Sequence, residues 1–238
     1  MTTQFHPNFL NRFVAPGISE FNAADIPDIR SAHPEAEHWM DNHFLNNLFR
    51  GSFVGDHRQF AVNLLFRAQA HFAQYHQARD ATLEYLLKSS LHSPALNLYF
   101  RAVVHWETCL LSYQVFVDLL NKMGGPKIFQ KEDGSAESCA YHIANAIKHA
   151  FGPFNSEGHD NETLPMWLSN TGLHIRKLAL TYQELAALTN DIARLANEIQ
   201  DPRSFAASSE TAQVAAVPKD VSDVIQDMKT LDRWLEKN

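Results

Sequence analysis

Thirteen histidines are spread through the 238 residues, and what they can do depends on which of them share a face. The segment Tyr141–Ala150 is the most informative. In a helix, Ile143, Ile147 and Ala150 fall at i, i+4 and i+7 and suit a core. His142, Asn145 and His149 form the neighbouring stripe, with Lys148 at its edge. Two imidazoles and an amide then stand in a row beside the buried side. An imidazole titrates near neutral pH and can work as general acid or base. The same row also describes the half-exposed, hydrogen-bonded boundary of an ordinary amphipathic helix.

Spacing argues against a metal. His142 and His149 are two turns apart, about 10 Å at about 1.5 Å per residue, whereas both ligands must sit about 2 Å from one ion. His71 and His76 are five residues apart and diverge. A di-iron bundle wants E-x-x-H on two helices, and only Glu35-Ala36-Glu37-His38 fits, near a helix start. No metal ligand and no cofactor are assigned. A metal-dependent helical-bundle enzyme remains an alternative only if His residues from several helices converge. Nucleophilic chemistry has no support either. There is no G-x-S-x-G, Gly124-Gly125 is not followed by Lys-Ser or Lys-Thr, and neither Cys109 nor Cys139 belongs to a C-x-x-C pair or has a base beside it. Both cysteines read as reduced, buried thiols.

His174, Arg176 and Lys177 make the one compact basic cluster near an aromatic, Trp167. Guanidinium groups and aromatic faces suit phosphate and base, so an RNA or anion contact is one reading, and a solvated hairpin face is the other. Arg101 and His105 are i, i+4 neighbours on a separate helix. If that helix packs against residues 136–151, Arg101 approaches His149.

Asn145-x-x-x-His149 resembles the second half of the motif of the HEPN superfamily: an Arg, then Asn or another polar residue, a short spacer and a His. The layout of two long helices from 56 to 123 followed by a shorter motif helix is also similar, over roughly residues 56–200. The resemblance implies an up-and-down helical bundle that pairs as a homodimer. It further implies a module for RNA binding or protein interaction, set in stress or phage defence. Active members resemble metal-independent ribonucleases in which the His moves a proton and the Arg grips phosphate. That activity, centred on His149 with Asn145, Lys148 and His142, is the alternative. The Arg position is Ala144 here, which binds no phosphate, so Lys148, Arg176, Lys177 or Arg101 would have to replace it.

The elements that must position these residues follow from punctuation and period. Pro7, Pro16, Pro27 and Pro34 keep residues 1–35 from forming a long helix, so an irregular N-terminal arm wrapping the domain is expected. Trp39, Phe44, Leu45 and Leu48 recur at helical spacing from Glu35 to Phe49. A long helix is expected from Asp56 to Lys88 on the stripe Phe60, Leu64, Ala68, Phe72, Tyr75, and another from Ser93-Pro94 to Met123. A shorter one follows over 136–151. Partial alternation around Asn170-Thr171-Gly172 predicts a β-hairpin near 164–178. Thr181 and Glu184 form a capping box for a helix to about Ile199. Residues 201–218 read as a linker and 219–238 as an amphipathic helix that needs a surface, its own domain or a protein partner. The fold class is therefore all-α: about six helices with one small β-hairpin, the bundle spanning 36–200.

Composition agrees with a globular chain. An apolar fraction of 45% supports a sizeable core, and a net charge of −7 excludes nucleic-acid binding by bulk electrostatics. No stretch reaches the ~20 apolar residues that span a bilayer, and no secretory pattern is visible at the start, so a cytoplasmic protein off the membrane is expected.

Overall fold

The computed structural model describes residues 6–49, 55–90, 94–122, 128–130, 133–149, 164–175 and 177–201, with 55–57 described by backbone alone. Its frame comes from the two longest periodic stretches. α3 (Gly55–Lys88) and α4 (Leu96–Lys122) pair antiparallel, because each carries an unbroken apolar stripe and neither has an interior proline. Large aromatics join them. Trp106 packs edge-on to Tyr75 with centroids 5.6 Å apart, and its indole donates to Thr82 Oγ1 at 2.9 Å. Of the stripe expected on α3, Leu64, Ala68, Phe72 and Tyr75 are buried.

α6 (Tyr182–Ile199) lies across this pair. It begins at the capping box: Thr181 accepts from the Glu184 backbone, and the Glu184 carboxylate accepts from the Thr181 backbone. The decisive contact is His71, fully buried on α3. Its Nδ1 lies 3.1 Å from the Cys109 carbonyl of α4 and its Nε2 lies 3.0 Å from Thr189 Oγ1 of α6. A carbonyl only accepts, so the neutral ring carries its proton on Nδ1 and leaves Nε2 as an acceptor facing the Thr189 hydroxyl, whose one proton is shared with the Leu185 carbonyl 2.8 Å away on its own helix. α5 (Ala136–Lys148) packs on α4 through Tyr141, whose hydroxyl donates to Asp118 at 2.9 Å.

The β element has three strands, not two. β1 (Trp167–Leu168), β2 (Gly172–Ile175) and β3 (Leu178–Thr181) form an antiparallel sheet in that order. The third strand escapes a sequence reading because its four residues run straight into the α6 cap. Leu168, Leu173 and Leu180 face each other in register and are buried. Gly172 is required by close approach, since a Cβ there would sit 2.1 Å from the Leu180 carbonyl oxygen.

The N-terminal arm holds a seven-residue helix, α1 (Pro7–Phe13), with proline in its first turn, where its missing N–H costs nothing. The rest of the arm is fastened to the bundle. Tyr75 donates to the Pro27 carbonyl at 2.9 Å, Arg79 to the Ile26 carbonyl at 3.0 Å, and the Asn170 side chain accepts from the Asn22 and Ala23 backbone.

One element departs from its pattern. The stretch expected to be helical from Glu35 opens as a 3-10 turn, Ala36–His38, before α2 (Trp39–Phe49). Trp39, Phe44, Leu45 and Leu48 do not share a buried face. Trp39 is buried, and its indole donates to Asn197 of α6. Asn42 and Asn46 donate to the side chain and backbone oxygens of Gln200 at 3.0 and 3.2 Å. These residues fall at i, i+3 and i+7, so α2 presents its amide side to the bundle and turns Phe44, Leu45, Leu48 and Phe49 outward. The linker beyond Asp201 and the amphipathic segment 219–238 lie outside the described residues, as do residues 150–163.

The buried histidines make stability depend on pH. Burial pushes His71 and His76 down to about 4 from an ordinary 6.5. The unfolded chain then binds more protons than the folded one between these values, so stability is full above pH 6.5 and is lost as pH falls toward 4. His71 alone is expected to cost about 2 kcal/mol at pH 5 relative to pH 8. Thermal melts across that range check this, and a flat Tm would contradict it.

Candidate functional site

α5 places the motif-like residues at its C-terminal end. Ser135 caps the helix by accepting from the Ser138 backbone, and His149 follows Lys148 as the C-cap. Ile143 and Ala144 are fully buried, whereas Asn145, Lys148 and His149 are exposed. His142 is half-buried, its ring edge-on to Tyr141, and its Nε2 is buried without a hydrogen bond. The helix thus brings Asn145, Lys148 and His149 together at one solvent-facing tip, with His142 further back. Ala144, the position where the resemblance calls for Arg, points into the core. Ala144 is fully buried, so a long cationic side chain would not fit there without displacing its neighbours.

Local electrostatics at that tip favour cations. The last carbonyls of a helix carry about half a negative charge, so Lys148 and His149 are well placed for stability. A phosphate at the same point would meet that negative end.

Arg101 stands apart from this tip. It is paired with Glu84 on α3, which also holds Lys88. Tyr141, the anchor of α5, meets α4 at Asp118, 17 residues and about 25 Å further along that helix. No contact joins Arg101 to His149 among the described residues.

The sheet gathers a second group. Trp167 and His174 are cross-strand partners on the outward face, their rings stacked at 5.9 Å with planes 15° apart. Ser169 Oγ sits 2.7 Å from His174 Nε2, and the Thr171 and Gly172 amides also point at it, at 3.2 and 3.3 Å. Burial pushes the His174 imidazole down. The serine oxygen is thereby occupied in closing the turn, and the ring is held by stacking and one hydrogen bond. Lys177 is exposed in the turn between β2 and β3; Arg176 lies outside the described residues. Cys139 is half-buried and donates to the Ala179 carbonyl, while Cys109 is fully buried.

Among the described residues no three His, Cys, Asp or Glu side chains are grouped to hold a metal ion. No described helix is long and apolar enough to cross a membrane. The chain matches no family model, no curated protein and no solved structure.

The functional feature that sequence reasoning missed is α2. Phe44 and Leu45 are each 53% exposed, Leu48 73% and Phe49 75%. Soluble monomers rarely leave so contiguous an apolar strip in water. Asn42 and Asn46 share a face with Trp39, but Asn42 and Leu45 are i, i+3 neighbours, so spacing alone does not tell an inward amide face from an apolar one.

These placements separate the candidate residues by their effect on folding. Asn145→Ala is expected to leave Tm unchanged, and His149→Ala, which removes an exposed side chain at the C-cap, to cost at most a few tenths of a kcal/mol. His174→Ala, which removes both the stacking and the Ser169 bond, is expected to cost about 1 kcal/mol. Denaturant unfolding of the three variants checks the order; a larger loss for His149→Ala than for His174→Ala would contradict it.

Proposed function

We propose that this protein is a self-associating helical interaction module, a dimer of the kind the HEPN resemblance implies, which uses the outward face of α2. The exposed strip Phe44, Leu45, Leu48 and Phe49 carries this reading. Its geometry is that of an interface core: large apolar and aromatic side chains on a rigid helix. The polar half of the same helix is already spent on the Asn197 and Gln200 contacts, so burial of the apolar half requires another surface. A second copy supplies one with matching chemistry, since a two-fold interface pairs one patch with itself.

A second reading, RNA binding or cleavage at the α5 tip, is favoured by the joint exposure of Asn145, Lys148 and His149. Three observations weigh against it: the buried Ala144, the helix C-terminus under the tip, and Arg101 held by Glu84. Contacts from His174 and Lys177 to RNA belong with this reading, on a chain whose net charge is −7.

Light scattering on the eluting peak tests the first reading. The full chain is expected as a dimer at tens of micromolar, with Leu48→Asp and Phe49→Asp shifting it to a monomer that keeps its helical circular dichroism, because both side chains are exposed. A monomeric wild type, or a dimer indifferent to both changes, would refute the proposal. The RNA reading has its own assay. Incubation with single-stranded RNA is expected to give no cleavage above background; cleavage lost in His149→Ala would establish the alternative instead.

A further inference from the structure

The bundle holds an apolar cleft apart from α2 and the α5 tip. It lies between the C-terminal half of α4, the first turn of α5 and the middle of α6, with a volume of about 80 Å³. Its walls are apolar, drawn from Phe116, Val117 and Leu120 on one side and Leu188 and Ile192 on the other. Three polar side chains interrupt them: Tyr113, Glu137 and Asp191.

The polar groups are not equivalent. Asp191 is exposed and paired with Arg194 at 2.7 Å. Glu137, half-buried in the first turn of α5, has no ion pair among the described residues. Tyr113 is only 4% exposed as a residue, and its side chain forms part of the cleft wall. Burial and the nearby Glu137 and Asp191 charges push that phenol up, so it stays neutral and offers a lone pair as well as a proton.

We propose that this cleft is a binding site for a small apolar primary ammonium, with the hydrocarbon body against α4 and α6 and the ammonium between the Tyr113 hydroxyl and the Glu137 carboxylate. The ligand class follows from the wall. An ammonium has three donors and no acceptor, so it satisfies a phenol oxygen and an unpaired carboxylate together. A carboxylic acid or phosphate ligand would meet two negative charges. The volume is about half that of an apolar cavity of about 150 Å³ that holds benzene, so a compact ring fills the cleft and extends into its open mouth.

Calorimetric titration of the full chain with cyclohexylmethylamine, against cyclohexylmethanol as the uncharged control, tests this. The amine is expected to bind saturably, and the alcohol at least about tenfold more weakly. Glu137→Gln, at a partly exposed position, is expected to raise the amine Kd about tenfold or more with Tm unchanged. Val117→Phe fills the cleft and is expected to abolish binding of both; circular dichroism verifies that it folds. Absence of saturable amine binding, equal binding of amine and alcohol, or a preference for the amine that survives Glu137→Gln would each overturn the proposal.

Discussion

His71 joins three helices with one ring. It sits on α3, bonds the backbone of α4 at Cys109 and meets Thr189 of α6. A fully buried imidazole is costly unless both nitrogens are matched, so the three helices can pack in only one rotation about that point. The aromatic core then closes around it. Tyr75 and Tyr182 both pack against Trp106, with ring centroids 5.6 and 5.7 Å away, and Tyr113 lies 6.0 Å from His71 itself. Moving the ring or α6 by one residue would leave His71 Nε2 without a partner and break the aromatic contacts together.

The placement of α6 determines what α2 can do. The last turns of α6 carry Asn197 and Gln200, and these amides take Trp39, Asn42 and Asn46. His33 in the arm is also bonded to Asn190 and Asn197. The arm and α2 are thus held by polar contacts at the surface of an apolar core. A helix fixed by its polar side must show its apolar side to whatever lies outside. The exposed strip is in this sense a consequence of the α6 amides, and it is also what makes self-association the functional reading with the most physical support.

Much of the fold was legible because it rests on local rules. The α3 and α4 stripes, the Thr181–Glu184 box and the turn at Asn170 each follow from residue spacing or cap chemistry. The misread parts depend on tertiary context. Periodicity alone places Phe44, Leu45 and Leu48 in a core, since nothing local says that Asn197 and Gln200 will claim the opposite face. β3 was hidden because its four residues run straight into the Thr181 cap of α6, with no turn signal between strand and helix. For the candidate site, the helical row of Asn145 and His149 was readable and so was the missing Arg. That Ala144 faces the core, and that Arg101 is committed to Glu84, required the packed structure. The cleft beside Tyr113 had no sequence signal, because its residues come from three separate helices.

The central claim is that the outward face of α2 is covered by another copy of the protein. Its most direct test is the rate at which a thiol reagent labels a cysteine placed at Leu48, with Cys109 and Cys139 replaced by serine or alanine, as protein concentration is varied. Fast labelling at nanomolar concentration and progressive protection through the micromolar range are expected. Labelling at one fast rate throughout would mean that the strip stays in water, and one slow rate throughout would mean that the chain covers it by itself.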